Sequence, residues 1–460
     1  MTAMSLTLHD VSHEVRETQY AVRGAIVARA GELERQGRRV IYCNIGNPQS
    51  LGQKPFTFVR QVLALCEYPA LLDGPAAALF PEDARAAARL VLRESAHGLG
   101  AYTESKGWRF VRQAVADFVR ERDHVPADAE HVFLTDGASK GVQAVLRLLV
   151  DGPSDGVMIP IPQYPLYSAS ITLLGGGQVP YFLDEGKDWS LSRQALDSAH
   201  AEAAAKGIRV RAIAVINPGN PTGSVLDEAN VAMVLDFART HRLSVLADEV
   251  YQENVYRPGD RFVSFASVLV RRGIFDVPLF SFHSVSKGFF GECGHRGGYL
   301  ECRNVPPDVM AEVEKLQSVA LCANSAGQLV TWLMVRPPRS GEPSFDLFER
   351  ERREIRESLK RRAALLEKGL NAIPGIQCNP VTGAMYAFPR ISLPPGATDA
   401  EYCMALLEET GICVVPGSGF GQLPGTWHFR TTILPPVEEI ETVVRKLGEF
   451  HASFVRARGG

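Results

Sequence analysis

The sequence predicts an α/β protein whose larger part is a mostly parallel sheet flanked by helices, with a smaller α+β domain attached. Between residues 132 and 300, short apolar runs alternate with turn residues and helix-period segments, a pattern typical of β-α-β units. A long charged segment and two regions of short apolar runs follow. At 460 residues, the chain is also about three times longer than a typical single domain.

Apolar runs in the first region are predicted as strands at residues 132–134, 157–161, 210–216, 244–247 and 279–282. Between them, helix-period segments predict helices at 140–150, 167–174 and 227–240, with another helix after Gly291. Residues 345–370 are predicted as one long helix, because charged side chains such as Glu349 and Arg353 are spaced for i,i+4 pairing.

The smaller domain is predicted from short strands and loops at residues 375–390 and 412–435. The sheet is complete without the first residues, so we expect these to join the smaller domain. The predicted division is an N-terminal arm with part of the small domain at 1–65, the large domain at 66–345 and the small C-terminal domain at 346–460.

The composition excludes several classes of partner. With 49 Lys+Arg against 52 Asp+Glu, the net charge is -3, which leaves no basic excess for nucleic acid. The 8 cysteines contain no C-x-x-C pair, and the first 23 residues have no apolar stretch of a signal peptide. No run approaches the ~18 apolar residues of a membrane span. We therefore expect a cytoplasmic protein with neither nucleic acid nor membrane as partner.

Polar clusters follow three predicted strands at their carboxyl ends, where open α/β sheets bind ligands. They are NPGNPTG at residues 217–223, DEVY at 248–251 and HSVSKG at 283–288. Taken singly, the first is compatible with a plain loop, the second with a helix cap and the third with exposed surface. In this order on successive strands, they indicate one shared site.

An amine, a carboxylate, a phenol and an amide beside an anion site are the groups that bind pyridoxal 5'-phosphate (PLP). Lys287 is expected to bond to the cofactor aldehyde, and Asp248 to pair with the pyridine nitrogen. Tyr251 and Asn220 are expected to hydrogen-bond the ring hydroxyl. Lys287, Asp248 and Tyr251 are thus the predicted catalytic residues.

The phosphate site is predicted at LTDGASKG, residues 134–141, where a strand ends in a turn of small residues that opens a helix. Backbone N–H groups around Ala138 and the hydroxyl of Ser139 would hold the anion there. The side chains expected to complete the site are those of Ser284, Ser286 and Arg296.

Tyr164, on the loop after another strand, is expected to stack on the cofactor ring, although an aromatic packed over the core fits its spacing equally well. No P-loop, Rossmann fingerprint or cluster of metal-ligand spacing competes with this site, and no metal is expected. His283, His295 and His428 fall near the site in the sequence pattern and are predicted as loop or packing residues.

Together these residues resemble the fold type I, class I aminotransferases, and within them the alanine aminotransferase group with its glutamate:glyoxylate relatives. The similarity extends from about residue 20 to about residue 450. The motifs that carry it are NPGNPTG (217–223), LADEVYQENVY (246–256), SFHSVSKG (281–288), GECG (291–294), IPIPQYPLY (159–167) and ETGICVVPGSGFG (409–421).

The resemblance implies further roles. Arg430, in HFRTTILP, matches the arginine that binds the substrate α-carboxylate, and Asn220 then serves substrate as well as cofactor. Gly46, in NIGNP, matches a glycine whose backbone approaches the substrate. Tyr102, in GLGAYT, matches a tyrosine that reaches the phosphate of the neighbouring subunit, which implies a homodimer with shared active sites.

The chain departs from the family pattern at three places. His295 stands where a tyrosine is expected, Asn47 stands where an aspartate is expected, and LCANSAGQ at residues 321–328 replaces a proline-rich stretch. None removes a predicted cofactor contact. The last, which includes residues 323–326, is expected near the substrate entrance and leaves the substrate open.

The resemblance implies a PLP-dependent aminotransferase that moves the amino group of a small L-amino acid, first alanine, to a 2-oxo acid, first 2-oxoglutarate, by a ping-pong mechanism. Glutamate:glyoxylate or other transamination, a lyase or synthase of the same fold and a non-catalytic PLP-binding module remain as alternatives. No second arginine in the motifs indicates how a distal substrate carboxylate would be held.

Overall fold

A computed structural model describes residues 6–459 as a mixed α/β molecule built around one large sheet. Its strands, in chain order, are β1 (Ile41–Tyr42), β2 (Val132–Thr135), β3 (Asp155–Ile161), β4 (Gly177–Phe182), β5 (Arg209–Ile216), β6 (Ser244–Asp248), β7 (Leu279–Ser284), β8 (Gly298–Arg303), β9 (Ile376–Gln377), β10 (Tyr386–Ala387), β11 (Arg390–Ile391), β12 (Ile412–Cys413), β13 (Val415–Pro416) and β14 (Phe429–Thr432).

The large sheet contains seven strands in the order β2-β8-β7-β6-β5-β3-β4. β8 is antiparallel to both of its neighbours, and the pairs from β7 across to β4 are parallel. The mostly parallel sheet predicted from the sequence is therefore confirmed. Because β5, β6 and β7 are parallel neighbours, the segments that follow them emerge at the same edge.

The helices that flank this sheet and build the rest of the molecule are α1 (His13–Glu17), α2 (Ala25–Arg35), α3 (Thr57–Glu67), α4 (Glu82–Glu94), α5 (Arg109–Asp123), α6 (Ala138–Leu149), α7 (Leu166–Leu173), α8 (Arg193–Ala205), α9 (Glu228–His241), α10 (Phe265–Arg271), α11 (Pro307–Val319), α12 (Ser325–Val335), α13 (Phe345–Asn371), α14 (Asp399–Thr410) and α15 (Val437–Gly459). Among residues 6–459, no helix combines the length and the apolar character needed to cross a membrane.

The five strands predicted from apolar runs correspond to β2, β3, β5, β6 and β7 with ends that differ by two residues or fewer. The long predicted helix is α13, which buries Leu359, Ala363 and Leu366 along one side and packs against α15. The helix was predicted from the i,i+4 spacing of its charged side chains, and its buried residues add an amphipathic period.

Two strands of the large sheet were missed. β4 lies at the sheet edge, carries Pro180 and alternates between buried and exposed residues, so its apolar signal is weak. The helix predicted after Gly291 begins only at Pro307, as α11, because a short 3-10 turn at Cys293–His295 first leads into β8. β8 itself was missed because it contains Glu301, a buried carboxylate that pairs with Arg303 (2.5 Å) and interrupts the apolar run by which a buried strand is recognised.

Outside the large sheet, residues 6–459 form three small sheets. β10, β14 and β13 form a three-stranded antiparallel sheet, β9 pairs with β11, and β1 pairs in parallel with β12. The pairing of β1 with β12 places the segment after Tyr42 beside the C-terminal part of the chain. The exact division into 1–65, 66–345 and 346–460 stays a prediction.

Candidate active site

A cavity of about 480 Å³ lies at the carboxyl ends of the parallel strands, between the large sheet and the three-stranded sheet. It brings together all but one of the residues predicted for the site. Those lining it are Gly46, Ala138, Ser139, Tyr164, Asn220, Asp248, Tyr251, Ser284, Ser286, Lys287, Arg296 and Arg430.

Lys287 follows β7 and carries the amine of the site. Its Nζ donates a hydrogen bond of 2.6 Å to the backbone oxygen of Gly46 and lies 6.0 Å from the centre of the Tyr251 ring. A Cβ on Gly46 would clash with the Tyr386 hydroxyl and lie 3.0 Å from the Lys287 amine. Only glycine therefore fits at position 46, where the backbone forms one wall of the cavity.

Asp248 is the last residue of β6 and is buried. Its Oδ2 accepts a hydrogen bond from the Tyr167 hydroxyl (3.1 Å), and its Oδ1 accepts one from the Val250 backbone (3.4 Å). Burial raises the pKa of Asp248 to about 6, although these hydrogen bonds and the positive charge of Lys287 act in the opposite direction. A cation such as a protonated pyridine nitrogen would offset this burial cost.

Tyr251 and Asn220, the two residues expected to bond to the ring hydroxyl, lie side by side. The Asn220 amide donates to the Tyr251 hydroxyl (3.3 Å), which donates in turn to the hydroxyl of Tyr386 (3.4 Å). Burial and the neighbouring Tyr386 raise the pKa of Tyr251 well above the ordinary range, so the phenol stays protonated and able to donate.

The N-terminus of α6 forms an anion cradle. Gly137 precedes the helix with no side-chain cap, so the first N–H groups of the helix are available to an anion. The Arg296 guanidinium donates to the backbone oxygens of Asp136 and Cys293 (3.1 Å each), beside the same turn. A Cβ on Gly137 would lie 2.5 Å from Arg296, and one on Gly298 would lie 3.1 Å from the Ala138 nitrogen. The cradle is thus shaped by glycines and fits a phosphate.

Arg430, in β14, faces the cavity from the opposite side and is buried. Its Nη1 donates to the Asn220 side-chain oxygen (3.1 Å), and its Nη2 donates to the backbone oxygen of Asn44 (2.6 Å). The Arg430 Nε and the Asn44 amide are buried and unpaired among the described residues. Unpaired buried donors are costly, so a carboxylate is the ligand that this arrangement favours.

Tyr164 lies in the cavity wall, where its hydroxyl is 2.7 Å from that of Tyr20. Tyr102 is the predicted residue that the structure does not bring to the cavity: its side chain is 81% exposed on the surface of its own chain. A role at the phosphate would therefore require a second copy of the chain.

Four residues at or beside the cavity were missed by the sequence analysis. Tyr386 lines the cavity near Lys287 but lies in a two-residue strand with no motif of its own. From the N-terminal region, Arg23 lines the cavity and the Asn44 backbone oxygen accepts from Arg430. For Tyr167, the partner of Asp248, a signal was available, because it follows Tyr164 by one helical turn in the same motif.

The departures from the family pattern have separate locations. His295 lies 3.0 Å from the buried Glu292 carboxylate, and Asn47 lines the cavity. In the segment 321–328, Asn324 caps α12 and bonds to Asp136 (2.8 Å) behind the anion cradle. This segment was expected near the substrate entrance, but the contacts of Asn324 place it on the phosphate side.

The sequence matches the family Aminotransferase class I and II over residues 61–447. It is 50% identical to a probable mitochondrial alanine aminotransferase of Dictyostelium discoideum, over 98% of this chain and 90% of that protein. It is 48% identical to glutamate–glyoxylate aminotransferase 1 of Arabidopsis thaliana, over 99% and 98% of the two chains. Among solved structures, an alanine aminotransferase from Pyrococcus furiosus superposes with a TM-score of 0.79 at 27% identity, covering 96% of this chain and 100% of that one.

Proposed function

Because the chain belongs to the class I and II aminotransferases, which are PLP-dependent enzymes of amino-acid transamination, we propose that it transfers the amino group of alanine to 2-oxoglutarate. The observation that carries the proposal is the buried guanidinium of Arg430, which faces the Lys287 amine across one cavity. An α-amino acid held by its carboxylate at Arg430 would present its amino group and Cα toward Lys287.

PLP, when bound, supplies a ring that accepts electron density from the substrate Cα and carries the amino group from the first substrate to the second. The α6 cradle and Arg296 would hold its phosphate, and Asp248 would keep a proton on its ring nitrogen. Lys287 would take the proton from the substrate Cα with its ε-amine. Tyr251 and Asn220 would orient the ring by hydrogen bonds to its hydroxyl.

The Arg430 guanidinium is rigidly held before any substrate arrives. It lies 4.2 Å from the centre of the Tyr386 ring and 4.6 Å from that of Phe420, in addition to its two hydrogen bonds. A planar guanidinium fixed in this way binds a carboxylate through two parallel hydrogen bonds and so sets the orientation of Cα.

Arg23 is our candidate for the distal carboxylate of 2-oxoglutarate and glutamate. It lies in the 3-10 turn Ala21–Arg23 and lines the same cavity as Arg430. In Arg23→Gln, we expect KM for glutamate to rise at least ~10-fold, the order of a lost charged hydrogen bond, while KM for alanine stays within about twofold. Alanine has no distal carboxylate and is therefore the internal control. An equal rise in KM for glutamate and alanine would mean that Arg23 does not bind the distal carboxylate.

Glutamate:glyoxylate transamination is the second candidate, supported by the similarity to the Arabidopsis enzyme. Assays of the purified protein with alanine or glutamate as donor and pyruvate, 2-oxoglutarate or glyoxylate as acceptor distinguish the two. We expect the highest kcat/KM for alanine with 2-oxoglutarate. A higher value for glutamate with glyoxylate would favour the second candidate, and breakdown of the donor without amino transfer would indicate a lyase.

We also propose a homodimer. Tyr102 is exposed and away from the cavity of its own chain, so it can contact a cofactor phosphate only in the cavity of a second copy. Light scattering should give twice the chain mass of 50.3 kDa. Mixing Lys287→Ala with Tyr102→Ala subunits should restore activity above that of either variant, since one site of the mixed dimer is intact. The predicted cytoplasmic location also remains a proposal, which fractionation of source cells would check.

A further inference from the structure

His428 is buried between the large sheet and the three-stranded sheet, and both of its ring nitrogens face oxygen atoms. Nδ1 lies 3.0 Å from the side-chain oxygen of Gln422, and Nε2 lies 3.1 Å from a carboxylate oxygen of Glu185. The sequence pattern had suggested only a loop or packing role for this histidine. The two contacts instead form a polar bridge between separate parts of the fold.

The hydrogen-bond network orients the two oxygen atoms that face the His428 ring. The Gln422 amide nitrogen donates to Asp399 (3.1 Å), a buried carboxylate that also accepts from the Ser418 backbone (2.6 Å). This contact orients the Gln422 oxygen toward His428, so Nδ1 must be a donor there. The Glu185 carboxylate oxygen faces Nε2, so both ring nitrogens of His428 contact acceptor oxygens.

The surroundings of His428 suit a positive charge. Glu185 faces it directly, Asp399 faces it through Gln422, and the Phe388 ring stacks on it at 4.8 Å between centroids. Trp189 meets it edge-on at 5.8 Å. Among the described residues, the cation that contacts the His428–Glu185 pair is the Arg390 guanidinium, which lies 3.8 Å from the second Glu185 oxygen. A buried cation is tolerated when a carboxylate and aromatic faces compensate its lost hydration.

The bridge acts on the strand that carries Arg430. Glu185 follows β4, the edge strand of the large sheet, whereas His428 directly precedes β14. Residues two apart in a strand share a face, so His428 and Arg430 extend in the same direction. Both reach partners of the large-sheet side, Glu185 and Asn220 respectively. The start of β14 is thus held to the large sheet at two adjacent points.

We propose that His428 is a positioning residue: paired with Glu185, it holds β14 so that the Arg430 guanidinium meets the substrate carboxylate. This inference rests on the proposed role of Arg430. His428 itself does not line the cavity. Its effect should therefore appear in the affinity for carboxylates and much less in the chemical step.

The test compares His428→Gln and Glu185→Gln in the holoenzyme. In His428→Gln, we expect KM for alanine and the Kd for glutarate to rise ~10-fold, the order of a lost charged hydrogen bond, while kcat stays within about threefold. Glutarate is a dicarboxylate without amino or oxo group, so calorimetry with it measures carboxylate binding without turnover. Glu185→Gln, which keeps an acceptor and nearly the same shape, should raise both constants about threefold.

Two comparisons separate this role from general loss of stability. The double variant should be no weaker than His428→Gln alone, because both substitutions remove the same interaction. His451→Gln is the matched control: His451 is also buried and bonds to the Tyr402 hydroxyl (3.1 Å), away from the cavity. It should keep KM and Kd within about twofold of wild type even where its melting temperature falls.

The outcomes are distinguishable. If His428→Gln and Glu185→Gln both bind glutarate like wild type, while Arg430→Lys binds it weakly, the inference is overturned and the role of Arg430 stands. If Arg430→Lys also binds glutarate like wild type, the role of Arg430 and this inference fail together. Additive losses in the double variant would overturn the pairing of His428 with Glu185.

Discussion

Replacing Asp248 by asparagine tests the carboxylate at the end of β6, because the substitution nearly keeps the shape and removes the charge. Burial raises the pKa of Asp248 from 3.8 to about 6. This rise means that the ionised, fully buried carboxylate lowers the free energy of unfolding of the cofactor-free protein by about 3 kcal/mol. A protonated ring nitrogen of the bound cofactor would offset this loss of stability, so the loss should be largest in the cofactor-free protein.

The pKa of Asp248 is higher in the folded protein than in the unfolded one. The loss of stability is therefore absent below the unfolded-state pKa near 3.8 and complete above the folded-state pKa of about 6. The cofactor-free Asp248→Asn protein should therefore be more stable than cofactor-free wild type by up to about 3 kcal/mol at pH 7.5 and by about half as much at pH 5. Urea denaturation of the two proteins at both pH values measures the difference. A gain that is absent at pH 7.5, or that does not shrink at pH 5, would refute this account of the burial.

The same substitution should lower kcat/KM more than ~10²-fold in the holoenzyme, because an amide does not keep the ring nitrogen protonated. Glu249 provides a matched control. Burial raises its pKa to about 8, and its carboxyl group accepts from the Phe265 backbone (2.8 Å), away from the cavity. Glu249→Gln should keep turnover within about threefold. Near-normal turnover in Asp248→Asn would mean that the carboxylate is only structural.

Three further substitutions probe the rest of the site. Lys287→Ala should lose the borohydride-fixed cofactor that mass spectrometry detects on the wild-type chain; retention of that adduct would assign the bond to another lysine. Arg430→Lys should keep the visible spectrum of the cofactor but lower kcat/KM at least ~10²-fold for every amino acid tried, since an ammonium lacks the planar fork; a loss confined to one amino acid would place Arg430 at the side-chain pocket. Burial raises the pKa of the Tyr386 phenol, but Lys287 and Arg430 lower it, and on balance it lies below its ordinary value. We expect ionisation of this phenol to reduce activity at alkaline pH, so Tyr386→Phe should stay active to higher pH than wild type in a pH–rate profile. If the two profiles fall at the same alkaline pH, ionisation of Tyr386 is not the cause.

The local sequence was sufficient to predict where Lys287, Asp248 and the anion cradle lie, because each is at or just after the carboxyl end of a strand of the large sheet. Parallel strands align their carboxyl ends, so a correct strand prediction also predicts which loops meet. The buried apolar runs of β5, β6 and β7 made those predictions dependable. Arg430 and Gly46 were found only through resemblance, since the short strands around them have no comparable pattern.

Contacts between distant segments were decided only by the tertiary structure. Tyr386, Asn44 and Arg23 join the site because the N-terminal region and the three-stranded sheet pack against the large sheet. His428 shows the same limit: it lies 243 positions after Glu185, and nothing in the sequence signals that the two side chains will meet. Periodicity reports which face of an element is buried, but not which element covers it. The sequence by itself therefore determined which side chains lie at the strand ends, and packing between the two sheets determined which other side chains meet them there.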